Sequence, residues 1–195
     1  NLLGQQQSGF INSVGFDMYT RMLEEVISEA KGDETEEVTI RDNDVKIDFD
    51  GPALIPAKYM SDTDSRYNFY KRIAIVDNLE QLQNIRDEIV DRFGALPEQA
   101  RNLHSIAELK VLCRQAGFNR LSISKGNVTA TLNLSEDQSE MQRAIGKLVA
   151  MADPYTIEFK LDSGVEVVIK VNSSNDLTEV ENFLRHLTRD GILPD

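Results

Sequence analysis

Few side chains in this sequence could do chemistry, and their spacing narrows the possibilities further. No GxxxxGK[ST] or GxGxxG run is present, so no glycine loop followed by a helix exists to cradle a nucleotide phosphate, and the chain is not expected to bind ATP by itself. His104 and His186 are the only histidines, and neither has a second His or Cys at ligand spacing. Both are expected at a helix surface or core edge, and no metal site is expected. Cys113, the single cysteine, lies among Leu109 and Leu112 on the apolar face of an expected helix, which suits a buried, inert thiol better than a nucleophile. Ser8 sits in Gln-Ser-Gly, without the GxSxG frame of a hydrolase. No catalytic residue is therefore expected. Glu88 and Asp91 offer a different kind of chemistry. At a spacing of i, i+3 on a helix they stand on one face about a turn apart, set to receive a pair of arginines, with Asp87 adding a third carboxylate. On spacing alone, the same pattern also suits a solvated polar face.

The helix that carries these carboxylates is expected from Asn78 to Phe93. Asn78 is a natural N-cap, with Gln81 as its capping-box partner. Leu82, Ile85, Ile89 and Phe93 form the core stripe, and Gly94 is a left-handed terminator. A helix before it opens at Ser61-Asp62-Thr63-Asp64 and turns Tyr67, Tyr70, Ile73 and Ala74 to one face. A helix after it opens at Pro97 and carries Leu103, Ile106, Ala107, Leu109, Leu112 and Cys113 to Gly117. Short turns between the three predict a small antiparallel array.

Strands are expected on either side of this array. Val45, Ile47 and Phe49 alternate with polar residues in one short strand. Downstream, residues 120–124 and 128–132 form a hairpin around Gly126, and 155–161 and 165–171 form another around Gly164. Ser135 to Gln138 is a capping box for a helix with Met141, Ala144, Ile145, Leu148 and Val149, and a final helix uses Leu177, Val180, Phe183, Leu184 and Leu187. The whole predicts an α+β fold, a helical array plus antiparallel hairpins with helices on one face.

Composition sets the outer limits. Of 195 residues, 41 % are hydrophobic and 28 % charged, enough apolar material for a core. The net charge of −12 argues against a free-standing nucleic-acid binder, which needs clustered Lys and Arg, and favours a basic protein partner. From Glu24 to Asp50, eleven acidic residues face three basic ones. Within that stretch Glu34-Thr35-Glu36-Glu37 lacks apolar periodicity and reads as a solvated linker, so residues 33–44 divide an N-terminal segment, 1–32, from a domain spanning 45–195. In the N-terminal segment Phe16, Tyr19, Leu23 and Val26 form one amphipathic stripe. A single cysteine excludes an internal disulfide, and no apolar run reaches the length of a membrane span, which fits a cytoplasmic protein.

Two blocks carry a resemblance. Asn1-Leu2-Leu3-Gly4 with Gln7-Ser8-Gly9 and Val14-Gly15-Phe16-Asp17-Met18-Tyr19 resembles the motif shared by RecG-type DNA translocases and bacterial transcription-repair coupling factors. Arg66-Tyr67-Asn68-Phe69-Tyr70-Lys71-Arg72-Ile73-Ala74 and Glu88-Ile89-Val90-Asp91-Arg92-Phe93-Gly94-Ala95-Leu96-Pro97 resemble the C-terminal domain of the coupling factors and not RecG. The resemblance implies a regulatory domain of an ATP- and Mg-dependent translocase on duplex DNA. That parent removes stalled RNA polymerase and recruits excision repair through UvrA. Glu88 and Asp91 would then face arginines on the parent's own UvrB-like N-terminal module and mask its UvrA-binding surface. Reversing both charges to Lys is expected to abolish that docking and leave the fold intact. Gln7, Gly4 and Gly9 would belong to the translocation motif. The alternative is a DNA-contacting wedge of a RecG-like helicase, which draws on the first 20 residues only.

Overall fold

The computed structural model describes residues 45–124, 127–132, 138–151, 156–160, 165–170 and 176–190. Expectations for Gln7, Gly4 and Gly9, the N-terminal stripe, the acidic linker, both hairpin turns and the capping box at Ser135 lie outside the described residues. In chain order the elements are β1 (Lys46–Phe49), α1 (Thr63–Ala74), α2 (Leu79–Phe93), α3 (Glu98–Ala116), β2 (Phe118–Ser124), β3 (Asn127–Leu132), α4 (Gln138–Met151), β4 (Thr156–Lys160), β5 (Val165–Lys170) and α5 (Asp176–Asp190). The fold is α+β. The described residues form two compact units, a helical one from residue 50 to 108 and a sheet unit made of 45–49 and 109–190; α3 contributes to both.

In the helical unit the start and stop signals act as their chemistry requires. Asp62 caps α1, its Oδ2 accepting from the Ser65 amide at 2.8 Å. Asn78 caps α2 through Oδ1 and the Gln81 amide at 2.9 Å, while the Gln81 side chain reaches back to accept from the Asp77 amide. Leu82, Ile85 and Ile89 are buried as their spacing predicts. The stripe of α1 differs from expectation: Phe69, Tyr70, Ile73 and Ala74 are buried, and Tyr67 is only half-buried. Phe69 stands four residues before Ile73 and so falls on the same broad apolar face, whereas Tyr67 lies at its edge. Residues 50–62 are irregular but fastened. The Leu54 amide donates to the Gln99 carbonyl, Asn102 donates to the Pro52 carbonyl, and the Ile55 amide donates to the Tyr70 hydroxyl at 2.6 Å.

Gly94 ends α2 with φ +87° and ψ −167°, and its amide donates to the Val90 carbonyl at 2.9 Å. That backbone conformation is open almost solely to glycine. No atom lies within 4 Å of where a Cβ would be, so the penalty of a side chain there is one of backbone alone. Gly94→Ala is expected to lose about 1–3 kcal/mol of stability, read as a shift in denaturation midpoint at unchanged slope.

The sheet unit orders its strands β1-β2-β3-β5-β4. Both expected hairpins are present, and β3 pairs with β5 to join them. One pairing departs from the all-antiparallel expectation: β1 runs parallel to β2, with Lys46 opposite Arg120 and Phe49 opposite Ile123. Parallel neighbours need a crossover of a dozen or more residues, and the three helices between β1 and β2 supply it. Along the register Ile47, Leu121, Ala130 and Val167 share one face and are buried. An irregularity between Phe118 and Arg120 brings Phe118, opposite Leu132, onto that face as well. Lys46, Arg120, Thr131, Glu166 and Lys160 share the other face, and each of these side chains is partly or fully exposed. On it Arg120 donates from Nε and Nη2 to Asp48 Oδ2 at 2.9 and 2.6 Å. A sheet apolar on one side and charged on the other is the pattern of helices covering a single face. Ala144 and Leu148 of α4 and Leu177, Val180, Phe183, Leu184 and Leu187 of α5 supply buried side chains to this unit.

Candidate docking face on the second helix

The face of α2 opposite its buried stripe presents Glu80, Gln83, Asn84, Asp87 and Asp91, all exposed. Glu80, Asn84, Asp87 and Asp91 follow one another at spacings of four, three and four residues, so they run along one line for about three turns. Glu80 was not among the residues the sequence singled out, and its spacing from Asp87 and Asp91 was the available signal. Val90 flanks the line at 37 % exposure.

The three carboxylates named from the sequence stand in different circumstances. Asp87 Oδ1 accepts from Gln83 Nε2 at 2.7 Å, one turn back. Asp91 has no hydrogen bond or ion pair among the described residues, which leaves its oxygens to solvent. Glu88 lies at the edge of the face nearest α1 and is engaged at both oxygens. Arg72 Nη2 donates to Oε2 at 2.7 Å, and Arg92 Nη1 donates to Oε1 at 3.3 Å. The Arg72 hydrogen bond is the main reason the Glu88 carboxyl sits below its ordinary range; both guanidiniums add electrostatic support.

Aromatic rings fix these arginines. The Arg72 guanidinium lies 5.2 Å from the centre of the Phe69 ring, and that of Arg92 lies 5.5 Å from Phe69 and 5.0 Å from Phe93. Phe93 meets Phe69 edge-on at 6.2 Å, and Tyr59 packs beside Phe93 while its hydroxyl donates to the Gly94 carbonyl at 2.6 Å. Phe69 is 1 % exposed and therefore rigid, so the cluster above it is held from below. Sequence reasoning placed the arginine partners of Glu88 outside the chain, and the structure supplies two from within it. The signal was present, since Arg92 follows Glu88 at i, i+4, but Arg72 belongs to another helix and no spacing rule reaches it.

This geometry changes the choice of variant. Lysine at 88 would set a third cation against Arg72 and Arg92, so Glu88→Lys disturbs the fold as well as the surface. Only the Asp91 reversal keeps the two effects apart.

The Cys113 thiol is fully buried, as its place on the apolar face predicts, and burial pushes its pKa far above the usual range. His104 is a core-edge residue with Nε2 enclosed and unpartnered; burial lowers its pKa. It lines a cavity of about 10 Å³ with Ile55, Tyr59, Ile85 and Leu103, space for no more than a water molecule. No group of three His, Cys, Asp or Glu side chains among the described residues is arranged to hold a metal. No described helix is long and apolar enough to cross a membrane.

Residues 49–144 match the TRCF domain family. The chain is 40 % identical over 135 residues to the transcription-repair-coupling factor of Bacillus subtilis and 39 % identical over 133 residues to that of Staphylococcus haemolyticus; each match covers 68 % of this chain and 11 % of the relative. The chain thus spans about a tenth of the length of the curated relatives it matches. Among solved structures, the C-terminal domain of a transcription-repair coupling factor superposes with a TM-score of 0.62 at 21 % identity, covering 75 % of this chain and 93 % of that one, which shows a shared fold. The chain belongs to the transcription-repair-coupling factor family, to which it contributes the TRCF domain.

Proposed function

We propose that this domain is an autoinhibitory clamp within a parent DNA translocase. Its α2 face docks on arginines of the parent's UvrB-like N-terminal module and masks the surface that recruits UvrA. The parent, driven by ATP and Mg, displaces RNA polymerase stalled at a lesion and hands the site to excision repair. The observation that carries this reading is the line of carboxylates on α2 ending at Asp91, which is exposed and has no partner among the described residues, on a chain of net charge −12. Such a face offers charge-assisted hydrogen bonds to a basic surface at little desolvation cost. It offers a duplex phosphate backbone only repulsion. The domain itself needs no cofactor for this role. A wedge that contacts DNA draws on residues 1–20, outside the described residues, and no described residue favours it.

Removing this chain from the full-length parent is expected to strengthen UvrA binding, and adding the chain back in trans to weaken it again. Surface-immobilised UvrA with the parent in solution reads both. UvrA affinity that is the same with and without the chain would overturn the clamp.

A further inference from the structure

Glu88 and Asp91 occupy the same helix but cannot play the same part in docking. Asp91 can accept a partner's guanidinium without giving anything up. Glu88 already holds one guanidinium on each oxygen, and the three side chains Arg72, Glu88 and Arg92 together carry a net positive charge. An arginine arriving at Glu88 therefore meets two like charges within a few ångströms. The two intramolecular bonds are unequal. Arg72 binds at 2.7 Å, whereas Arg92 at 3.3 Å makes the looser contact and is more exposed, 49 % against 37 %. Both guanidiniums have somewhere to rest on letting go, because each already lies over the face of Phe69.

We propose that Arg72 is the resting occupant of Glu88, and that docking of an arginine-bearing surface starts at Asp91 and is completed by partner exchange at Glu88. This rests on the docking reading above and adds to it how the clamp is kept reversible. In the released state the exchange leaves no carboxylate stranded, and in the docked state Arg72 returns to its ring. The net gain from docking at Glu88 is the difference between two arginine contacts, so the clamp is weaker than two open carboxylates would make it. Arg72 is thus a positioning residue that sets clamp strength without itself contacting the partner.

The test compares full-length parent proteins bearing Arg72→Gln, Arg72→Lys or Asp91→Lys for affinity toward UvrA, with the Glu88 side-chain carboxyl followed by NMR titration in this chain. Arg72→Gln removes the competing charge, so the clamp is expected to tighten and UvrA affinity to fall by about threefold to tenfold, the size of one like-charge repulsion at 5–6 Å near a surface. Arg72→Lys keeps the charge and is expected to stay within about twofold of wild type. The Glu88 carboxyl is expected to titrate higher in Arg72→Gln, a readout that simple loss of packing would not move. UvrA affinity that rises in Arg72→Gln while Asp91→Lys opens the clamp would show that Arg72 supports docking, and would overturn the exchange alone. An unchanged affinity in Arg72→Gln with the same Asp91 result would also overturn it. If Asp91→Lys leaves UvrA affinity at wild type, the docking reading itself fails and the exchange falls with it.

Discussion

Phe69→Ala is expected to cost the helical unit about 3–5 kcal/mol, the range for truncating a buried phenylalanine. The ring is 1 % exposed, meets Phe93 edge-on and lies beneath both guanidiniums that hold Glu88. Deleting it removes the transfer free energy of the side chain and leaves a cavity that α1 and α2 can close only in part. Each cation–ring contact contributes roughly 0.5–1 kcal/mol at exposed sites, so the greater part of the loss comes from packing. Phe69→Leu separates the two contributions. It retains most of the apolar volume and is expected to cost about 1–2 kcal/mol, while loosening Arg72 and Arg92. Urea denaturation followed by circular dichroism gives both values. A cost below about 1 kcal/mol for Phe69→Ala would mean that the ring is not the floor of the Glu88 cluster.

Much of this architecture was legible because local chemistry decides it. Asp62, Asn78 and Gln81 act at helix starts by accepting from amides within four residues, and such short-range signals survive folding unchanged. Gly94 ends α2 where expected, with positive φ but an extended ψ in place of the left-handed one. The paired strands of both hairpins follow from the alternation of apolar and polar residues along them. What could not be read were the contacts between residues far apart in the chain. Nothing in Lys46-Ile47-Asp48-Phe49 says that it will join Arg120–Ile123, 74 residues later, in parallel. In the same way, Glu88 and Asp91 were correctly placed on the outer side of one helix, but their difference arises on another. Arg72 reaches Glu88 across 16 residues because Phe69 of α1 packs edge-on against Phe93 of α2, with the Arg72 side chain facing the carboxylate. Spacing assigns side chains to a face; packing decides which of them arrive with partners.

That difference sets the second large effect. Asp91→Lys is expected to weaken clamp closure in the full-length parent by between tenfold and about a hundredfold, equivalent to losing one charge-assisted hydrogen bond of roughly 1.5–3 kcal/mol. UvrA affinity should rise by a similar factor wherever the closed form dominates. Stability should move by no more than about 0.5 kcal/mol, because Asp91 is exposed and makes no bond among the described residues. Glu88→Gln should behave otherwise. It leaves Arg72 and Arg92 unopposed at the rim of the docking face, so the clamp weakens and the stability of the domain falls together. The effect of Asp91→Lys should also shrink as salt rises, since at about 0.1 M charges on an open surface are screened beyond roughly 10 Å. The pair of variants, measured for UvrA binding and for urea midpoint at two ionic strengths, distinguishes a carboxylate that serves the partner alone from one that also serves its own fold. If Asp91→Lys and Glu88→Gln lowered the urea midpoint equally, the two acids would be equivalent structural groups, and the division of labour on α2 would be wrong.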